Sequence, residues 1–345
     1  MPGLVCIVQS FNPFPRPPRR APFAALIVAT LALLSFAAES QAAFRTKSKE
    51  RPGPAIVGFL PDYQAKAIDS VPFELLTDAI YFSITPAWNG DLDLSKLNKS
   101  ALKDFVRKAR RKKVAVHICV GGWGRSGGFA AVSANSVARE RFAHELAAFC
   151  KKYKLDGADI DWETPNSSKD IKSYNALIGD LSRKFRDKKL RLSISVPARG
   201  HFVEPATFSR VDRIHVMAYD HRGPHSTTDA AGGDIRSWAE QGAPRSKLVL
   251  GIPFYGRNTA RESMAYRELL ELDKDAKPET DQIAGFHFNN LATVRRKTAL
   301  TLQHGYGGVM VWELSQDAKG KNSLLQAIHE TVQTSAAPPP PPAKR

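Results

Sequence analysis

Eight short runs rich in β-branched and aromatic residues recur through residues 55–313, and their number constrains the fold more than any other feature. They are Ile56–Leu60, Ala79–Ile84, Val114–Val120, Gly157–Trp162, Leu190–Val196, Arg213–Ala218, Leu248–Phe254 and Gly308–Trp312. Polar or Gly residues follow each run, and all but the last then pass into a helical pattern. Ser100–Lys112 sets Leu102, Phe105, Val106 and Ala109 on one face, and Ala138–Tyr153 does the same with Phe142, Leu146 and Phe149. Asp170–Phe185 aligns Ile171, Tyr174, Leu177, Ile178 and Leu181, and Asn290–His304 ends at Gly305, a residue suited to a C-cap. Strand–helix alternation implies a parallel sheet, and near-continuous apolar strands imply that both its faces are covered. Eight such units in about 260 residues predict an α/β fold, a single-domain (β/α)8 TIM barrel. A doubly wound open sheet offers no reason for a count of eight, and no Gly-rich phosphate turn follows the first run. Active sites of such barrels lie at the carboxyl ends of the strands, so chemistry is to be sought there.

The fourth run carries it. Asp156-Gly-Ala-Asp-Ile-Asp-Trp-Glu163 places four acids in eight positions. Side chains alternate along a strand, so Asp159, Asp161 and Glu163 share one side while Ile160 and Trp162 take the other. Three carboxylates in a row repel one another if all are ionised, so at least one proton is retained near neutral pH. Glu163, last in the row, stands at the mouth and suits a protonated general acid. A surface acidic run would not be interleaved with Ile and Trp, and a metal site would need further ligands that the other strand ends do not obviously supply.

This octapeptide resembles the DxxDxDxE signature of family 18 glycoside hydrolases, the chitinase family. Cys119-Val-Gly-Gly-Trp123 resembles the family's SxGG motif on the third strand, and Met217-Ala-Tyr-Asp220 its MxYD motif on the sixth. Leu250-Gly-Ile-Pro-Phe-Tyr-Gly-Arg257 resembles the seventh strand and Gly307-Gly-Val-Met-Val-Trp-Glu-Leu314 the eighth. The resemblance implies hydrolysis of β-1,4 bonds in N-acetylglucosamine polymers, chitin or chitooligosaccharides, with substrate-assisted retention of configuration. Glu163 would protonate the leaving oxygen, while the substrate's 2-acetamido carbonyl attacks the anomeric carbon to give an oxazolinium. Asp161 would orient the acetamide, shuttling between Asp159 and Glu163, and Tyr219 would donate to the acetamido oxygen. Trp312 would floor the cleavage subsite, with Asp220, Met217, Tyr255, Arg257 and Trp123 as further substrate contacts. The implied chemistry needs no metal and no organic cofactor. His117, His215 and His221 read as structural or solvated.

One departure is Cys119, which stands where the family motif has serine. A thiol donates more weakly than a hydroxyl, so support of Asp159 and the pH optimum would shift if that serine normally braces it. An endo-β-N-acetylglucosaminidase or a peptidoglycan-directed relative is the alternative enzyme. A non-catalytic lectin would usually lack the glutamate that is present here as Glu163. Asn258 to Ala284 is too short for a large inserted domain between strands seven and eight, which predicts an open groove and endo-type cutting.

The ends differ from the middle. Arg16, Arg19 and Arg20 precede eighteen uncharged residues, and Ser40 and Ala42 then flank Gln41, so residues 1–42 are expected to be a cleaved signal peptide, with an uncleaved membrane anchor as the alternative. Residues 43–53 read as a linker, 54–334 as the barrel domain and 335–345 as an extended Pro-rich tail. The expected location is secreted or periplasmic, with no stable membrane insertion after cleavage, and the expected state is monomeric. The net charge is +16. Leader and tail account for few of these charges, and about +12 stays with the body. The densest cluster, Lys103 to Lys113, closes a predicted helix where cations complement the helix dipole, and no groove-reading or stacking motif points to nucleic acid.

Overall fold

A computed structural model describes residues 53–336. Its eight barrel strands are β1 (Ala55–Pro61), β2 (Asp78–Pro86), β3 (Ala115–Gly121), β4 (Gly157–Asp161), β5 (Arg191–Pro197), β6 (Arg213–Met217), β7 (Leu248–Pro253) and β8 (Gly308–Trp312). All are parallel to their neighbours, and β1 pairs with β8 on one flank and β2 on the other, Ala55 opposite Gly308 and Val57 opposite Asp78. The sheet is therefore closed, as the count of eight predicts.

The two-residue period sorts side chains into two cores. Ala55, Val57, Phe59, Ile80, Phe82, Cys119, Val249 and Met310 face inward and fill the barrel. Ile56, Leu60, Tyr81, Val116, Ile118 and Ile160 face outward and pack under the helices. Each such fully buried aliphatic or aromatic side chain contributes roughly 1.5–3 kcal/mol. The covering helices are α1 (Lys99–Arg111), α2 (Ser136–Lys152), α3 (Ser168–Lys188), α4 (Thr228–Glu240), α5 (Leu291–Gln303) and α6 (Leu324–Ala336). The first five begin at side-chain caps, Asn98, Asn135, Ser167, Thr227 and Asn290, each accepting from a backbone N–H of the first turn.

The connections differ from the sequence expectation in three places. After β1 the chain makes only 3-10 turns, Asp62–Ser70 and Phe73–Leu75, because Val71 ahead of Pro72 is held extended (φ −70°, ψ 120°). After β5 there is only the four-residue helix Pro205–Phe208. The last strand does lead to a helix, α6, which buries Leu324, Leu325, Ile328 and Val332. Ser323 caps it locally, its Oγ accepting from the Gln326 N–H (3.1 Å), and the Asp317 carboxylate adds a second cap by accepting from the N–H groups of Leu324 (2.8 Å) and Leu325 (3.1 Å). This helix takes up Ser335 and Ala336, the first two residues of the expected tail. The expected leader, the linker up to residue 52 and the rest of the tail lie outside the described residues. No described helix is long and apolar enough to cross a membrane.

Between β7 and β8 the short segment builds a small antiparallel sheet from Tyr255–Arg257, Ser263–Ala265, Gln282–Ile283 and Phe286–His287, with one short helix, Tyr266–Leu272. At the opposite end of the barrel from the strand carboxyl termini, the buried Asp78 carboxylate is met by Arg213 (2.6 Å), Arg191 (3.0 Å), His117 (3.1 Å) and the Thr77 hydroxyl (2.7 Å). His117 thus has a structural place, as its sequence context suggested.

Candidate active site

The acidic row sits as the alternation requires. Asp159 and Asp161 are buried inside the barrel, while Ile160 and Trp162 face outward, Trp162 stacking on Phe129 with 5.4 Å between ring centroids. Both oxygens of Asp159 are engaged: Oδ1 accepts from Ser193 Oγ (2.6 Å) and His215 Nδ1 (2.9 Å), and Oδ2 from Ser195 Oγ (2.7 Å). Burial alone would raise this carboxyl, but His215 and the two hydroxyls hold it below its usual range. Asp161 has no such partners. Burial, then the charges of Glu163 and Asp159, push it well above the usual range, and its Oδ1 has no hydrogen-bond partner among the described residues. Glu163 is raised by burial and by the Asp220 carboxylate, with the backbone N–H of Trp123 pulling the other way. The row is therefore graded: its surroundings favour the charged form of Asp159 and the protonated forms of Asp161 and Glu163.

Cys119 lies opposite Asp159 in the β3–β4 register but gives it no hydrogen bond among the described residues. The brace comes instead from β5 and β6, so the thiol leaves Asp159 fully supported. Cys119 and Cys150 are both free and buried.

The loop after β3 holds the row from the side. Gly121 and Gly122 have φ of 95° and 90°, and a Cβ would lie 2.2 Å from Asp161 O in one case and 2.2 Å from the Phe82 ring in the other. Only glycine fits this approach. Ser126 Oγ lies 3.1 Å from both Gly122 O and Asp161 O, and accepts from the Glu163 N–H at 3.2 Å. Arg125 forks onto the Asp62 carboxylate (2.8 and 2.9 Å), donates to Ser83 O (2.8 Å) and lies 5.4 Å over Phe82. Phe82 meets Trp312 at 4.9 Å, and Trp312 meets Phe59 at 5.8 Å, which seats the indole at the top of the inner core.

Beyond β6, Met217 and Tyr219 border the inner core, and Asp220 takes a left-handed conformation (φ 66°) that an Asp tolerates better than most residues. Its carboxylate accepts from Tyr255 Oη (2.7 Å) and from Arg257 Nε (2.5 Å) and Nη2 (3.0 Å), with His225 Nδ1 3.5 Å away. Burial would raise it, but His225, Tyr255 and Arg257 bring it down to about 2. Asp220, Tyr255 and Arg257 thus form one charged group beside the acidic row. Trp123 joins the site through its backbone, while its ring is 85% exposed on the rim.

Sequence reasoning missed His215, Ser193, Ser195, Ser126, Arg125 and His225. His215 was placed among structural or solvated histidines, and it sits instead against Asp159. A signal existed for three of these: Ser193-Ile-Ser195 and Arg213-Ile-His215 put polar residues on the inward parity of β5 and β6, where an apolar lumen would not want them.

The electrostatics give one test here. Removing the Asp220 charge removes a cause of Glu163's raised pKa, so Asp220→Asn is expected to move the alkaline limb of kcat/KM to lower pH. A limb that stays in place or moves up would show that Glu163 is not the group titrating there.

Comparison with known proteins agrees with this geometry. The sequence model of Glycosyl hydrolases family 18 matches residues 55–317. Chitinase 1 of Aphanocladium album is 24% identical over 290 residues, covering 66% of this chain and 67% of that protein. The GH18 chitinase ChiB from the chitin utilization locus of Flavobacterium johnsoniae superposes with a TM-score of 0.73 at 25% identity, over 82% of this chain and 95% of that one. A mutant GH18 chitinase from Cycas revoluta, solved in complex with (GlcNAc)4, shares the fold with a TM-score of 0.73 at 21% identity, over 80% and 99% of the two chains. With a closed barrel, the acidic row on its fourth strand and a family match across the whole barrel, this chain is a member of glycosyl hydrolase family 18.

Proposed function

We propose that the protein is a secreted chitinase that cleaves β-1,4 bonds of N-acetylglucosamine polymers with retention, through an oxazolinium intermediate. The observation that carries this reading is the acidic row itself: Asp159 held by three donors from β5 and β6, Asp161 beside it with an unpartnered Oδ1, and Glu163 at the mouth. In the first step Glu163 gives its proton to the glycosidic oxygen. The C1–O bond breaks towards that oxygen as the acetamido carbonyl oxygen of the same sugar bonds to C1. Asp161 turns between Asp159 and Glu163, and its carboxyl oxygen accepts the acetamide N–H and faces the positive oxazolinium. Its unpartnered Oδ1 suits that role. Tyr219 donates to the carbonyl side of the acetamide, and Trp312 lies under the sugar. In the second step the Glu163 carboxylate takes a proton from water, whose oxygen attacks C1 and opens the ring. The (GlcNAc)4 complex of the Cycas chitinase supports a chitooligosaccharide as the substrate class.

The segment between β7 and β8 builds only a small sheet and one short helix, which supports an open groove and endo-type cutting. Export would remove residues 1–42, so the exported protein should begin at Ala43 by intact mass. Separate incubation with chitin, a high-mannose glycopeptide and peptidoglycan tests the substrate. Soluble chitooligosaccharides of mixed length, β-configured when first released, are expected from chitin. Release of a glycan or of muropeptides, with chitin untouched, would overturn the reading in favour of the other enzyme class.

A further inference from the structure

Lys297 on α5 is fully buried, and nothing in the proposed reaction uses it. Its Nζ donates to Ser226 O (2.8 Å) and Ser226 Oγ (2.6 Å). Ser226 Oγ in turn donates to Ala218 O at 2.8 Å, and Asn289 Nδ2 adds a bond to Ser226 O at 3.0 Å. No ion pair to Lys297 occurs among the described residues. The acid whose charge favours the ammonium is the buried Asp234 of α4, itself bonded to His221 Nε2 at 2.7 Å and 3.5 Å from Arg199 Nε. Burial brings Lys297 down to about 7, with Asp234 opposing. An ammonium group inside a core is expensive, and a Met or Leu would fill the same space more cheaply.

The chain of bonds ends at a telling place. Ala218 O belongs to the peptide that leads into Tyr219. Two successive tight turns, Ala218 N to Val216 O and Tyr219 N to Met217 O, both 2.9 Å, end β6 there. Asp220 follows at φ 66°, and His221 N closes the loop onto His225 O at 3.1 Å. The orientation of one carbonyl thus governs where the Tyr219 ring and the Asp220 carboxylate emerge.

We propose that Lys297 is a positioning residue, which through Ser226 fixes the Ala218–Tyr219 peptide and so sets Tyr219 and Asp220 against the substrate. The inference rests on the chitinolytic reading for its kinetic test. Lys297→Met, Ser226→Ala and the double variant are assayed on a chromogenic chitobioside below the melting onset of each. Each single substitution is expected to lower kcat/KM about tenfold, mostly in kcat, and the double to fall no further than the worse single. Singles within about twofold of wild type, or a double variant that loses the product of both effects, would overturn it. If Lys297→Met does not fold, Ser226→Ala alone decides, since an unchanged kcat there breaks the chain of argument. Should wild type show no turnover, the chitinolytic reading fails instead. The amide resonance of Tyr219 then serves as readout: displacement by the substitutions supports the coupling, and an unmoved resonance refutes it.

Discussion

Replacing Glu163 by Gln is expected to lower kcat on a chitooligosaccharide by about 10²–10⁴-fold, the usual worth of a placed general acid. Glutamine fills the same volume and can still accept from the Trp123 N–H, but it has no proton to give the leaving oxygen and no carboxylate to take one from water. Both steps fail together, so the loss belongs in kcat. Affinity for (GlcNAc)4 should persist, because Trp312, Tyr219 and the Asp220–Tyr255–Arg257 group remain in place. The substitution also removes one of the charges that raise Asp161, so Asp161 gives up its proton at lower pH in the variant. In the wild type the sign is fixed by the raised Glu163 pKa: the protonated acid is lost as pH rises through it, and kcat/KM falls on the alkaline side. Calorimetry of the tetramer alongside a turnover assay separates the effects. Turnover equal to wild type would remove Glu163 from the reaction, and loss of binding with loss of activity would mean a collapsed site.

How far the site could be read from the chain follows from the periods involved. The strands were legible because a two-residue period and eight apolar runs leave few alternatives, and Asp159, Asp161 and Glu163 follow from that period alone. Trp312, Tyr219 and Asp220 needed the family resemblance, because a single aromatic or acid at a strand end carries no period. The brace of Asp159 was hidden for another reason. Its partners Ser193, Ser195 and His215 lie on β5 and β6, the next two strands along the sheet, and the strand order and register that set them beside Asp159 are not written in a single sequence. Cys119 looked like a defect for the same reason, since the sequence shows the weakened neighbour on β3 and not the donors on β5 and β6 at the other flank of β4. The α6 helix had a local signal that was passed over, Ser323 capping the Gln326 N–H ahead of Leu324, whereas Lys297 was hidden because a lysine within Arg295-Arg-Lys297 reads as one more surface cation. Two of the residues behind the high net charge, Arg191 and Arg213, are tied up inside the barrel floor.

That floor yields the largest expected effect on stability. Asp78, Arg191 and Arg213 stand at or beside the first positions of β2, β5 and β6, and His117 reaches in from β3, so one carboxylate ties four strands together across the lumen. Burial alone would raise Asp78, yet Arg213, His117 and Arg191 hold it well below the usual carboxylate range. Asp78→Ala leaves two guanidinium groups facing each other in a closed space, and losing one partner of a buried ionic cluster typically costs about 3–5 kcal/mol. For a domain of this size that corresponds to a melting temperature lower by roughly 6–20 °C. The pH dependence has a definite sign. A depressed carboxylate contributes stability above its unfolded pKa of about 3.9, and that contribution is lost as pH falls through the folded value. His117 is also depressed, by burial first and Arg191 next, so acid must protonate a ring that the fold keeps neutral, which adds instability below about 6.5. Wild type should therefore lose stability on acidification from near neutrality, most steeply below about pH 4, while the variant starts lower and loses less. Activity measured below the variant's melting onset should be retained, since the floor lies at the end of the barrel away from the acidic row. Thermal melts of both proteins from pH 3 to 8 test this, and parallel curves, or a variant within about 2 °C of wild type at neutral pH, would show that Asp78 does not tie the strands.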